Sequence, residues 1–188
     1  MMLCIACEIK LKPNDNAQNK IEVVRYDRLQ SRYLTTGDFS ALQEMNTEYA
    51  IETRTLIENV LKLGAVYEPD INSRFLNFYQ DTLLQTVISA AETQYANMED
   101  INKSFTNAFS KAKKTLPGFI VPKIYTQIGA FDQSIIVGDT IIGISLDKYL
   151  GEDYPAYIKF YSKAQRKTMT REYIVPDCLN FYLLSLYP

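Results

Sequence analysis

The stretch SIIVGDTIIGISLDKYLGEDYPAY, residues 134–157, decides the fold class. It opens with two short β-branched runs, 134–137 and 140–146, separated by Gly138 and Asp139. A two-residue loop with glycine first supplies the positive φ that a tight hairpin turn needs, so a hairpin is predicted over 134–146. Gly143, inside the second run, marks a bulge or a close backbone approach. The pattern then turns to loop chemistry in DKYLGED. Pro155 suits the first turn of a helix, with Asp153 as its cap. Upstream, FIVPKIYTQIGAF (119–131) adds β-branched residues, which gives three antiparallel strands. KIEVVRY (20–26) alternates and predicts an N-terminal strand beside them.

The rest reads as helix. Phe39, Leu42, Met45, Tyr49, Thr53, Leu56, Ile57, Val60 and Leu61 fall near helical spacing and stop at Gly64. Ile71, Phe75, Phe78 and Tyr79 form a second stripe, which Leu83, Leu84, Val87, Ile88, Ala91 and Tyr95 continue. A third amphipathic segment runs from Met98 to Leu116, and LNFYLLSLY (179–187) is apolar on nearly every side. The class is therefore α+β: an N-terminal strand, several amphipathic helices, a small antiparallel sheet and C-terminal helices in one domain over 20–188.

Composition restricts the chemistry. The 188 residues carry 20 basic and 22 acidic side chains, a net charge of −2, with no basic face of the kind duplex nucleic acid requires. Nucleic acid is not an expected partner. Histidine is absent, which removes the commonest general base and zinc ligand together with Ser-His-Asp, Cys-His and HExxH chemistry. No cofactor or metal is expected. The 14 tyrosines, with no tryptophan, suit half-buried positions whose hydroxyls reach the surface. Three cysteines make no disulfide framework. Cys4 and Cys7 lack a second pair to complete a zinc site, and Cys178 reads as a small buried residue.

MMLCIAC (1–7) is apolar and ends on a cysteine preceded by Ile5 and Ala6, like the tail of a lipoprotein signal with Cys7 as the lipidated residue. Residues 8–19 are polar and read as a flexible tether. No run approaches the ~20 apolar residues of a spanning helix.

The order strand, hairpin, LDKYLG, DYP, then EYIVPD (172–177) before an apolar helix resembles GldB, a lipoprotein family of gliding bacteria and their non-gliding relatives. IEVVRYD (21–27) is similar to a family phrase at the corresponding point. The resemblance implies a cell-envelope protein held to the membrane by a lipid on the periplasmic or outer-membrane side. It would act without catalysis through contacts with other envelope proteins, in motility or a secretion-related assembly. The resemblance also implies a chain that continues beyond Pro188.

Three candidate sites follow from the residues. Asp147, Tyr149, Leu150, Tyr154 and Tyr157 form an interaction surface, or else pack the hairpin onto the last helices. Asp147, Glu152 and Asp153 either hold a hard cation or cap and turn the chain. The layout before the apolar helix is also similar to that before the zinc helix of minimal metallopeptidases. There 176–180 (Pro-Asp-Cys-Leu-Asn) stands where HExxH would be and has neither histidine. The alternative function is thus a degenerate or unconventional hydrolase, a metal-free scaffold of this type or one using carboxylates.

Overall fold

The β-branched runs do form one three-stranded sheet in the computed structural model, which describes residues 20–187. The signal tail, the tether and Cys7 lie outside the described residues. β1 (Lys123–Gln127), β2 (Ile135–Val137) and β3 (Ile141–Ser145) are ordered β1-β3-β2. β2 and β3 make the expected antiparallel hairpin, but β1 runs parallel to β3, with Tyr125 opposite Gly143. The sheet is mixed, which corrects the all-antiparallel expectation. β1 and β3 are buried beyond their first residues and pair in parallel, as two-sided apolar strands do, while the shorter, half-buried β2 takes the edge. The hairpin loop is also displaced by one residue. The Gly138 N–H donates to the Ile141 carbonyl at 2.9 Å, so Asp139 and Thr140 occupy the turn, and Gly138 does not take positive φ.

Gly143 is the glycine that the sheet requires. A Cβ there would lie 2.5 Å from the Tyr125 hydroxyl oxygen and 2.6 Å from its Cζ. The close approach read from the sequence is made by this ring.

The expected N-terminal strand shrinks to a single parallel bridge, Val24 to Tyr125. Its other backbone donors go to side chains of a helix: Ile21 N–H to Thr106 Oγ1 at 2.9 Å and Val23 N–H to Asn102 Oδ1 at 3.0 Å. α1 (Tyr26–Thr36) then begins at once, with Asp27 in its first turn, where a carboxylate suits the helix dipole. It ends at Gly37, which takes the left-handed conformation and donates to the Tyr33 carbonyl.

The long stripe from Phe39 is broken into α2 (Phe39–Thr47), capped by Asp38, and α3 (Ala50–Arg54), which widens into a π-helical turn over Thr55–Val60. The left-handed residue that follows is Lys62, ahead of Gly64. α4 (Ile71–Phe78) and α5 (Thr82–Gln94) are separate because the Asp81 carboxylate caps the amides of Leu83 and Leu84. α6 (Glu99–Thr115) has acids in its first turn and Lys113 and Lys114 in its last. After a 3₁₀ turn over Leu146–Lys148 come α7 (Pro155–Phe160), α8 (Lys163–Arg166) and α9 (Ile174–Leu186). Pro155 is at the start of α7 as expected. The residue before it is Tyr154, with no side-chain cap, so Asp153 is not the cap. α1 packs on β1, and α9 lies against β2 and β3.

The tyrosines are the unexpected part of the core. Tyr26, Tyr79, Tyr95, Tyr125, Tyr149, Tyr157 and Tyr182 are among its largest fully buried side chains. Most turn the hydroxyl inward to a backbone carbonyl or a polar side chain, and Tyr125 is the exception, with a buried hydroxyl that has no partner. Tyr125→Phe is therefore expected to keep stability or raise it by about 1 kcal/mol, since an unsatisfied buried hydroxyl carries a desolvation cost of that order. Gly143→Ala should lower stability by about 1–3 kcal/mol through overpacking. Urea unfolding of the two variants checks both, and a clear loss for Tyr125→Phe would contradict this account of the sheet.

Candidate functional site

The segments flanking the strands are buried without ladder partners, so side chains must satisfy their backbone. Asp147, at the end of β3 and fully buried, accepts from the Gly129 N–H at 2.7 Å and the Phe131 N–H at 2.5 Å. Ala130 and Phe131 take positive φ between these anchors. The Ile128 carbonyl accepts from the Gln30 amide at 2.8 Å and the Tyr79 hydroxyl at 2.5 Å. The Phe131 carbonyl accepts from Lys148 Nζ and from the Tyr161 hydroxyl, each at 3.1 Å. The Tyr157 hydroxyl donates to the Asp147 carbonyl and accepts from the Leu150 N–H. The Tyr95 hydroxyl donates to the Tyr149 carbonyl at 2.5 Å.

This network settles where the expected interaction surface lies. Asp147, Tyr149, Leu150 and Tyr157 are all in the core, and Tyr154 alone of the five is partly exposed. They pack the hairpin onto the helices, and a partner has no access to four of them. The three carboxylates weighed for a cation are not brought together either. Asp147 faces inward, Asp153 is 96% exposed beside Arg166, and no group of three or more metal-ligating side chains occurs among the described residues. Cys178 is buried on α9, as expected, with its thiol pushed up by burial.

What the sequence reading passed over is a cleft of about 230 Å³ between the start of β2 and α9. Ser134, Lys148, Tyr149, Tyr161, Gln165 and Asp177 line it. α9 is set in place by Arg171, whose guanidinium grips the Asp100 carboxylate at 2.6 and 2.9 Å and the Gln94 and Asn97 carbonyls at 3.1 and 2.8 Å. Pro176 fits the first turn of α9, where no N–H is needed. Asp177 is the member of 176–180 that faces the cleft, while Pro176 and Asn180 are exposed. The Tyr149 hydroxyl donates to Asp177 Oδ2 at 2.8 Å. Burial holds the Asp177 carboxyl above the usual range, and the tyrosine bond pulls it back in part. The sequence signal for Asp177 was its place in an otherwise apolar helical run, a costly position unless the carboxylate has a partner.

The chemistry available is narrow. Asp177 is the one acid lining the cleft among the described residues, so paired-carboxylate hydrolysis finds no second member there. Burial and the neighbouring carboxylate raise the Tyr149 hydroxyl far beyond neutral pH. Lys148 is committed to the Phe131 carbonyl and, at 3.0 Å, to the Tyr161 hydroxyl, with its ammonium 4.6 Å from the Tyr161 ring centre. The groups present can offer a hydrogen bond or a charge, and no acid–base pair. A larger, mainly apolar groove of about 460 Å³ lies between Phe78, Leu83, Leu84, Phe131 and Phe160, with Tyr161 and Asp81, the cap of α5, as its polar members.

Because the folded Asp177 carboxyl titrates above its ordinary 3.8, the folded state favours its protonated form. The penalty is absent where the carboxyl is protonated in both states and grows as pH rises through the folded pKa. Wild-type stability relative to Asp177→Asn should therefore fall as pH rises above the ordinary 3.8, read by urea unfolding at several pH values. A difference that rises with pH would contradict the assigned burial.

A family model described as "Gliding motility protein GldB" matches residues 8–188. No curated protein and no solved structure matches the chain.

Proposed function

The chain belongs to the GldB gliding motility protein family, and on that premise we propose that it is a lipid-anchored cell-envelope protein working through contacts with other envelope proteins. The observation that carries the contact reading is the outer face of α9. Ile174, Cys178 and Tyr182 bury one side of this helix. On the other side Phe181 and Leu184 are 44% and 57% exposed, with Tyr173 on the same stripe. Ile120, whose carbonyl accepts from the Tyr182 hydroxyl at 2.9 Å, is exposed as well. Large exposed apolar side chains grouped on one helix face are the kind of surface that partners cover.

The anchor is Cys7, and the polar residues 8–19 hold the domain away from the bilayer. Among the described residues no helix is long and apolar enough to cross a membrane. The hydrolase alternative gains the Asp177 cleft but lacks an imidazole anywhere in the chain and a second acid in the cleft. Contact therefore has the stronger support.

Two experiments test the reading in cells expressing the full chain. A metabolic fatty-acid label should enter the protein and be lost in Cys7→Ser, and label retained by that variant would remove the anchor assignment. A photo-crosslinking residue at Leu184 should give a discrete envelope-protein adduct that the same residue at exposed Glu48 does not. Identical adduct patterns from the two positions would contradict the assigned face.

A further inference from the structure

β2 is an edge strand whose second edge is open. Its register on β3 pairs Ile136 with Gly143, and hydrogen bonds join Gly138 to Ile141 and Ser145 to Ser134. Strand alternation then turns the backbone N–H and C=O groups of Ile135 and Val137 away from β3. They have no hydrogen-bond partner among the described residues. An open edge of this type is a template for another extended chain. Ser134, at the start of this strand, also lines the cleft that holds Asp177. Asp177 makes no ion pair among the described residues, and Tyr149 occupies one of its oxygens. Lys148 points its ammonium at the Phe131 carbonyl and the Tyr161 hydroxyl and makes no ion pair with Asp177, so Asp177 Oδ1 is a carboxylate acceptor without a side-chain partner among the described residues.

We propose that the outer edge of β2 and the Asp177 cleft together bind an extended peptide segment of a partner protein. The peptide adds to the sheet as a fourth strand and places a lysine or arginine side chain against Asp177. The outward groups of Ile135 and Val137 supply the backbone pairing, and Asp177 selects the basic residue. This deepens the contact reading above and rests on it, and Asp177 lies on the same helical stripe as Phe181 and Leu184.

The probes are fluorescein-labelled nonapeptides of alternating Val and Thr with a central Lys or Glu, titrated against the full chain by fluorescence anisotropy. A third probe is the Lys peptide with alternate backbone nitrogens methylated. The Lys peptide should bind at least about ten-fold more tightly than the Glu peptide or the methylated one, a difference of about 1.4 kcal/mol. Val137→Pro removes an outward N–H without touching the bonds to β3, so it should weaken the Lys peptide about ten-fold while leaving the thermal midpoint in place. Asp177→Lys should reverse the preference toward the Glu peptide, which supplies a second readout should the proline variant fold poorly. Equal binding of methylated and parent peptides, or no saturable binding of the Lys peptide, overturns the proposal. So does a Val137-dependent dimer, which would assign the edge to a second copy of the chain. Failure here leaves the Leu184 adduct unaffected, so the two readings fail separately.

Discussion

The Asp147 carboxylate is the interaction on which the arrangement around the sheet depends. Its two oxygens take the N–H groups of Gly129 and Phe131, deep in the protein and away from water. A three-residue edge strand and two five-residue strands provide little ladder, so the chain leaving β1 and the chain leaving β3 must be satisfied some other way. Asp147 closes one against the other. Burial pushes its carboxyl above the usual range, while the two amide donors and the nearby Lys148 pull it back. Removing that side chain would leave two buried donors without partners, each costing about 1–3 kcal/mol.

Tyrosine completes what Asp147 begins. Tyr79, Tyr95, Tyr157 and Tyr161 aim their hydroxyls at the carbonyls of Ile128, Tyr149, Asp147 and Phe131. Each ring adds apolar volume to the core while its tip satisfies irregular backbone, a combination that phenylalanine cannot supply. The hydroxyls of Tyr79, Tyr95 and Tyr157 are unavailable for acid–base work near neutral pH, since burial drives all three upward. The abundance of tyrosine is thus a feature of architecture.

The hairpin, the helical stretches and Pro155 at the head of α7 were legible because each has a local cause: alternation, stripe spacing, or a fixed φ. The family was legible from LDKYLG, DYP and EYIVPD. The parallel pairing of β1 with β3 was not, because nothing local states which neighbour a strand takes once its connection can pass over another. α1 was hidden by its own start. Ile21 to Val24 alternate like a strand, yet Thr106 and Asn102 intercept their donors from a distance of more than 70 residues. The tyrosine and leucine positions around Asp147 left two readings open, a contact surface or packing of the hairpin onto the last helices, since an acid among aromatics suits either. In the fold the acid is buried by the two backbone amides that it binds. Asp177 escaped notice because its partner, Tyr149, is 28 positions away.

The chain is a member of the GldB family whose sheet is held at its ends by a buried polar lock. Native-state hydrogen exchange tests the lock most directly. The amides of Gly129 and Phe131 should exchange as slowly as those of β3, because Asp147 holds both until the sheet itself opens. Exchange at the rate of an exposed loop, with β3 still protected, would contradict the account.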